Sequence, residues 1–255
     1  MTIAFTGGGT GGHFYPIIAI AEALSDLVRE KHLIAPSLYY LAPNSFDEQA
    51  LFENGITYIH IPAGKMRRYA SFKNVTDSFT TVVGFFSALI TLFRLYPDVV
   101  MSKGGYGSVP TVLAARLLRI PIIIHESDAK PGRANLLAAK FAKKIVISRV
   151  LSQKYFPIGK TILMGNPVDV EILKIKPKVK IGSPPVIFIT GGHTGSTALN
   201  NGIAQALPKL LEKFYIIHQT GKVDYKKCVE IKRGFSKNLS KNYEVYASID
   251  SRVWP

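Results

Sequence analysis

The sequence contains very little cysteine. Among its 255 residues there is one, Cys228. A single thiol excludes an internal disulfide and a cysteine-rich zinc site, and it fits a reducing cytoplasm. The chain begins Met-Thr-Ile-Ala-Phe-Thr, without the basic start and the apolar run of a signal peptide. We therefore expect a protein that is not exported.

Acidic residues are also scarce. Seventeen Asp and Glu stand against 32 Lys and Arg, which gives a formal net charge of +15. A positive field of this size attracts phosphorylated substrates, anionic lipid or nucleic acid, and charge alone does not choose among them. The sequence lacks a helix-turn-helix, an aromatic RNA-recognition pattern and a zinc module, so nucleic acid is not an expected partner.

One strongly apolar run covers residues 79–93 and is followed by Arg94. It is shorter than the roughly 20 residues that a transmembrane helix needs. Two interpretations remain: a helix buried against a sheet, or an apolar surface that docks on a membrane. Apolar surface with a basic rim suits anionic lipid. The basic residues shortly before the run are Lys65, Arg67, Arg68 and Lys73.

Short apolar runs alternate with longer amphipathic stretches, which predicts βαβ units and a parallel sheet. The strands predicted first are residues 2–5, 37–41, 58–61, 98–101, 120–124 and 145–147. The helices between them are residues 16–30, 47–53, 76–95, 111–118 and 134–143. Six strands with their crossovers make one doubly wound domain, which we assign to residues 1–157.

A second domain is expected over residues 158–255. Its predicted elements are strands at 186–190, 214–218 and 243–247 and a helix at 197–213. An independent doubly wound domain usually needs about 100–150 residues. We therefore expect the second domain to be incomplete, either truncated or completed by another chain.

The first strand leads into a glycine loop, Gly7-Gly8-Gly9-Thr10-Gly11-Gly12-His13. The loop matches G-x-G-x-x-G between a strand and a helix. Its glycines allow close approach of a phosphate, to which the helix N-terminus offers free N–H groups. NAD is not expected, because no carboxylate ends the second strand to hold a ribose. ATP is not expected either, because the lysine of a Walker loop is missing.

A second glycine loop, Ser102-Lys103-Gly104-Gly105-Tyr106-Gly107-Ser108, follows the fourth strand. The carboxyl ends of parallel strands share one sheet edge, where open α/β sheets bind ligands. Two such loops at one edge predict a diphosphate ligand. The alternative is that these glycines only make a tight turn.

Three polar side chains near these loops are candidates for chemistry. His13, where the first loop meets its helix, suits a base near neutral pH, and positive surroundings should lower its pKa. Helix capping or phosphate binding is its alternative role. Glu126 and Asp128, after the fifth strand, have three alternatives: to bind sugar hydroxyls, to assist a base, or to cap the next helix. No clear ligand cluster predicts a metal site.

Together these motifs resemble the MurG family of glycosyltransferases. The resemblance is carried, in the family's order, by residues 8–13, 104–106, 125–128, 131, 132, 135, 165–168 and 191–195. It implies a GT-B fold of two Rossmann-like doubly wound domains, the second incomplete here. It also implies an inverting transfer of N-acetylglucosamine from UDP-N-acetylglucosamine to lipid I, the undecaprenyl-diphosphate-linked muramyl-pentapeptide, giving lipid II for peptidoglycan synthesis.

The resemblance also implies roles for individual residues. His13, as base on the acceptor's 4-hydroxyl, and Glu126 are the catalytic candidates. The acceptor-diphosphate contacts would be Gly9, Gly104, Gly105 and Tyr106. The donor contacts would be Thr10, Gly11, Gly12, Asp128, His193 and Ile249, the last against uracil. No cofactor is implied, and a divalent cation is left open.

Two residues depart from the family pattern: Asp169 stands where arginine is usual, and His193 where serine is usual. The first implies a lost donor-phosphate contact, whereas a histidine can still donate a hydrogen bond. The family's uridine diphosphate motif beyond Ile249 is absent from this sequence.

The expected partners are UDP-N-acetylglucosamine, lipid I, an anionic membrane surface and a chain that completes the second domain. The expected location is the cytoplasmic face of the inner membrane. The alternative function is a non-catalytic membrane-docking subunit that presents acceptor lipid to a separate donor-binding chain.

Overall fold

The computed structural model describes residues 1–65, 73–168, 182–192 and 195–249. The chain separates into two compact units, Met1–Ile175 and Lys176–Pro255. Four residues named above lie outside the described residues, and so does the side chain of Lys73. They are Arg67, Arg68, Asp169 and His193.

The first unit alternates strands and helices, as the apolar pattern predicts. Its strands are β1 (Thr2–Thr6), β2 (Ser37–Ala42), β3 (Ile56–His60), β4 (Val99–Ser102), β5 (Ile122–Glu126), β6 (Lys144–Ile147) and β7 (Thr161–Leu163). Its helices are α1 (Gly11–Glu30), α2 (Glu48–Glu53), α3 (Lys73–Leu95), α4 (Val109–Leu117) and α5 (Arg133–Ala139). Short 3-10 turns cover Tyr106–Ser108, Val150–Tyr155 and Ile158–Lys160.

The seven strands form one parallel sheet in the order β3-β2-β1-β4-β5-β6-β7. The order reverses between β1 and β4, and doubly wound sheets bind their ligands outside the carboxyl ends of the strands at such a reversal. The two glycine loops follow these two neighbouring strands. The last strand, β7, pairs with β6 and lies beyond residue 157, where sequence analysis ends the first domain.

Both faces of this sheet are buried, which accounts for the apolar character of its strands. Successive side chains of β1 alternate between the faces. Ile3 and Phe5 pack in the core under α1 and α2, whereas Ala4 packs in the core formed with α3, α4 and α5.

The second unit is smaller and has its own core. Its elements are β8 (Val186–Thr190), α6 (Thr197–Leu210), β9 (Tyr215–Gln219), α7 (Tyr225–Arg233), α8 (Lys237–Ser240) and β10 (Tyr243–Tyr246). The strands are parallel in the order β10-β9-β8. Ile189, Leu207, Leu211, Ile216 and Tyr243 are the buried residues of its core.

Helix α3 buries one face only. Ala88 and Leu92 lie in the core of the first unit, but only 17% of the most apolar window of Val75–Leu95 is buried. By length and composition this helix could cross a membrane. The apolar run at 79–93 is too short to do so, but the helix extends beyond that run at both ends. Burial against the sheet therefore accounts for part of the helix, and a large apolar surface remains exposed.

We expect Leu92→Ala to lower the free energy of unfolding by about 2–5 kcal/mol, because it leaves a cavity under the sheet. Leu92 is 0% exposed. The matched control on the same helix is Phe79→Ala, at a side chain 71% exposed, for which we expect a change within about 0.5 kcal/mol. Urea unfolding followed by circular dichroism measures both, and equal losses would contradict the one-sided burial of α3.

Candidate active site

The two glycine loops of the first unit touch each other through their backbones. Gly105 has φ +79°, and a Cβ at this position would overlap the carbonyl oxygen of Gly8. A Cβ at Gly9, where φ is +101°, would lie 2.8 Å from Cε1 of Tyr106. Side chains at these positions would push the loops apart, so only glycine permits this contact. The structure thus brings all four expected acceptor-diphosphate residues together, because Gly104 precedes Gly105 in the same loop.

His13 lies in the first turn of α1, against the second loop. The helix begins at Gly11, five residues before the predicted start, so Gly11 and Gly12 are its first residues and their N–H groups have no helical partner. The ring nitrogen Nδ1 of His13 lies 2.9 Å from Oγ1 of Thr10. A Cβ at Gly105 would lie 3.4 Å from Cγ of His13, which leaves the ring close to where the loops meet.

The pKa of His13 is lowered from its usual value, chiefly by burial and then by the positive charge of Lys103. The negative charges of Glu126 and Asp128 act in the opposite direction and raise it. Sequence analysis predicts this direction from positive surroundings alone, whereas burial is the larger cause. At neutral pH the imidazole is therefore mostly uncharged, as a general base must be.

Lys103 is a buried residue that sequence analysis did not single out. It is 3% exposed, and its Nζ donates a hydrogen bond to Oγ of Ser127 at 2.7 Å. Burial lowers the pKa of Lys103, and the nearby Glu126 and Asp128 raise it. The side chain links the loop after β4 to the segment after β5. Its position within the second glycine loop was the available signal, because a lysine in such a loop has no apolar role.

The carboxylate of Glu126 is fully engaged in ordering the turn before α5. Oε1 accepts from the N–H of Asp128 at 2.9 Å, and Oε2 accepts from the N–H of Gly132 at 3.1 Å and from Nδ2 of Asn135 at 3.0 Å. Of the three alternatives left open above, these contacts favour capping of this turn. Asp128, in contrast, is exposed at the same edge.

His125 holds the segment that follows β7. Its Nε2 lies 3.0 Å from the carbonyl oxygen of Gly165, which also accepts from Oγ of Ser148 at 2.9 Å. Burial lowers the pKa of His125. These contacts give His125 a structural role.

The remaining expected donor residue that the structure describes, Ile249, lies in the second unit. Its N–H donates to Oε1 of Gln219 at 2.9 Å, and Nε2 of Gln219 donates to the carbonyl oxygen of Gly192 at 3.0 Å. One side chain thus joins the glycine loop after β8 to the segment after β10. Sequence analysis did not single out Gln219.

Within the described parts of the chain, no group of three or more His, Cys, Asp or Glu side chains is arranged to hold a metal ion.

Comparison with known families decides the classification. Residues 3–147 match the glycosyltransferase family 28 N-terminal domain, and residues 186–252 match the family's C-terminal domain. The chain belongs to glycosyltransferase family 28. The two family 28 domains fall on the two units of the structure, and the predicted family resemblance is confirmed.

Two curated relatives share the name UDP-N-acetylglucosamine--N-acetylmuramyl-(pentapeptide) pyrophosphoryl-undecaprenol N-acetylglucosamine transferase. The protein of Lachnospira eligens is 39% identical over 86% of this chain. That of Treponema denticola is 36% identical over 98% of it. The chain spans 62% and 68% of the length of these relatives.

A solved structure with a similar fold is that of MurG from Acinetobacter baumannii. It is 26% identical, with a TM-score of 0.68, over 98% of this chain and 69% of the other. The predicted α/β fold of GT-B type is confirmed, and the second domain is the smaller one.

We expect Lys103→Met to raise the pKa of His13, because it removes a positive charge that lowers it. Asp128→Asn should lower the same pKa, because it removes a negative charge that raises it. An NMR titration of the His13 ring protons measures both changes. Lys31→Met, at the far end of α1, is the control that should leave the titration unchanged. Shifts of the same sign in the first two variants would contradict this charge arrangement.

Proposed function

We propose that this chain transfers N-acetylglucosamine from UDP-N-acetylglucosamine to lipid I, forming lipid II for peptidoglycan synthesis, with inversion at the anomeric carbon. The observation that carries the proposal is His13, held at the contact of two glycine loops with a lowered pKa. The names of the family 28 relatives support the substrates. The non-catalytic alternative is not favoured.

His13 would act as the general base. If its Nδ1–H donates to Oγ1 of Thr10, the lone pair of Nε2 is free to accept the proton of the acceptor's 4-hydroxyl. The hydroxyl oxygen then forms a bond to the anomeric carbon of the donor sugar. The bond from that carbon to the diphosphate oxygen breaks, and UDP leaves with the electron pair.

The backbone of the two loops would hold the acceptor diphosphate. Gly9, Gly104 and Gly105 present no side chain, so phosphate oxygens can approach their peptide groups closely. Tyr106 borders this space, and Nζ of Lys65 lies 5.8 Å from the centre of its ring. This exposed positive charge adds to the attraction for a diphosphate.

Each unit carries its own residues that we assign to donor binding. On the first, Thr10, Gly11, Gly12 and Asp128 would contact the sugar, while Glu126 keeps the turn of Asp128 in place. On the second, the loop after β8, with His193, and the segment at Ile249 would contact the uridine diphosphate. We accordingly assign acceptor binding to the N-terminal domain, residues 1–157, and binding of the donor nucleotide to the C-terminal domain, residues 158–255.

We also propose that the exposed face of α3 docks on the cytoplasmic face of the inner membrane, where a polyprenyl-linked acceptor lies. Several large apolar side chains of this helix are exposed to solvent. They are Val75, Phe79, Val82, Val83, Phe86, Ile90 and Phe93. Contiguous apolar surface of this kind is unusual on a soluble protein unless it binds something.

Basic residues border this apolar face where α3 meets α4. A shallow apolar groove at this place is lined by Leu89, Ile90, Phe93, Arg94, Leu117 and Leu118. Arg94, Arg116 and Arg119 are exposed around it. Each arginine near an anionic surface contributes about 1 kcal/mol of attraction. The combination favours binding to lipid over contact with an acidic protein, because the apolar area is large.

The activity is tested by incubating the purified chain with UDP-N-acetylglucosamine and a lipid I analogue. We expect the disaccharide product with inverted configuration, and at least a hundredfold loss of kcat in His13→Ala, because general base catalysis contributes about 10²–10⁴-fold. The assay is run with the chain alone and with the C-terminal segment of the Treponema denticola relative added as a second polypeptide. Absence of product in both assays contradicts the proposal, and unchanged turnover in His13→Ala supports the non-catalytic alternative.

Membrane docking is tested by flotation with anionic vesicles of phosphatidylglycerol and phosphatidylcholine. We expect Phe86→Glu to weaken binding at least tenfold, because burying an aromatic side chain contributes about 1.5–3 kcal/mol and the new charge is repelled. Phe86 is 57% exposed. The control is Phe52→Glu on α2, at a phenylalanine 86% exposed. Equal binding by both variants and the wild type would contradict docking through α3.

A further inference from the structure

Gln219 occupies the end of the central strand of the second unit. In the register of the sheet it stands between Thr190, the last residue of β8, and Tyr246, the last residue of β10. The chain leaves both neighbouring strands at this level. A side chain here is therefore within reach of both segments that follow.

The amide of Gln219 uses this position to hold both segments. It donates from Nε2 to the carbonyl oxygen of Gly192 at 3.0 Å and accepts from the N–H of Ile249 at 2.9 Å. A carbonyl group needs a donor and an N–H needs an acceptor, so the two partners fix the orientation of the amide. Gln219 is 4% exposed, which makes the loss of either bond costly.

The backbone around Gln219 is itself held in place. The carbonyl oxygen of Thr220 accepts from Nδ2 of Asn200 at 2.8 Å, and the N–H of Thr220 donates to the carbonyl oxygen of Tyr246 at 2.9 Å. A Cβ at Gly195 would overlap the same carbonyl group of Thr220, so the glycine loop packs directly on this segment. The backbone that carries Gln219 is thus held in place, as is required of a residue that positions other groups.

We propose that Gln219 is a positioning residue of the donor site. Its amide sets the spacing between the glycine loop at Gly192 and the segment at Ile249, so that the two can bind one uridine diphosphate together. This inference rests on the proposed function, which assigns donor binding to both segments. Without the amide, each segment keeps its own strand but loses the hydrogen bond that holds Gly192 or Ile249 to the end of β9.

The test compares Gln219→Met, which keeps the length of the side chain and removes both hydrogen bonds, with the wild-type chain. We expect the Kd for UDP, measured by calorimetry, to rise on the order of tenfold. In the transferase assay the KM for UDP-N-acetylglucosamine should rise similarly, while the KM for the lipid I analogue stays unchanged. The control is Gln205→Met, at an exposed glutamine on α6 of the same unit.

Hydrogen exchange of the free protein gives a readout that needs no ligand. The amide of Ile249 should exchange faster in Gln219→Met, but stay protected in Gln219→Glu, which keeps the acceptor oxygen and loses only the donor to Gly192. A merely structural role would raise both KM values together.

The possible failures are distinguishable. If the wild-type chain binds UDP and Gln219→Met binds it equally well, the role of Gln219 is overturned and the proposed function stands. Equal Ile249 exchange in the wild type and Gln219→Met overturns it as well. If the wild-type chain binds no UDP, donor binding by this chain is contradicted, and the role of Gln219 with it.

Discussion

The close approach of two backbones at one sheet edge is the constraint on which the candidate site depends. Where the strand order reverses, the loop after β1 and the loop after β4 are neighbours, and Gly8 and Gly105 touch. No side chain fits between Gly8 and Gly105, so peptide groups meet directly at this contact. The same contact brings the His13 ring against the second loop, which partly shields the ring from water and lowers its pKa. The contact of these two loops therefore accounts both for the glycines in them and for the lowered pKa of His13.

Charged side chains of both signs lie behind the loops. Lys103 is buried and donates a hydrogen bond to the neutral hydroxyl of Ser127. The carboxylate oxygens of Glu126 accept hydrogen bonds from two backbone N–H groups and from the side-chain amide of Asn135. A buried charge is tolerated only with such partners. Lys103 lowers the pKa of His13 and Glu126 raises it. The protonation state of His13 therefore depends on residues that follow three different strands, β1, β4 and β5. The glycine loops that define the family pattern are only part of this cluster.

The sequence predicts the features that depend on local pattern. Alternating apolar runs predict the doubly wound sheet, and glycine between strand and helix predicts both loops. It does not predict β7, because Thr161–Leu163 is short and mostly exposed, so no apolar run marks it. Nor does it predict the contacts of Lys103 and Gln219, since each hydrogen bond joins residues at least 24 positions apart. Such contacts depend on the register of the sheet, which composition does not encode.

Each unit holds two loop segments together at one edge of its sheet, but by different contacts. In the first, two loops meet because glycine lets their backbones touch, so no linking side chain is required. In the second, the strand between β8 and β10 separates the corresponding segments, and an amide of the right length must bridge them. A two-strand separation is about 9–10 Å, which backbone contact cannot cross. The strand order thus explains why bare backbone suffices at the first loop pair, while the second needs Gln219.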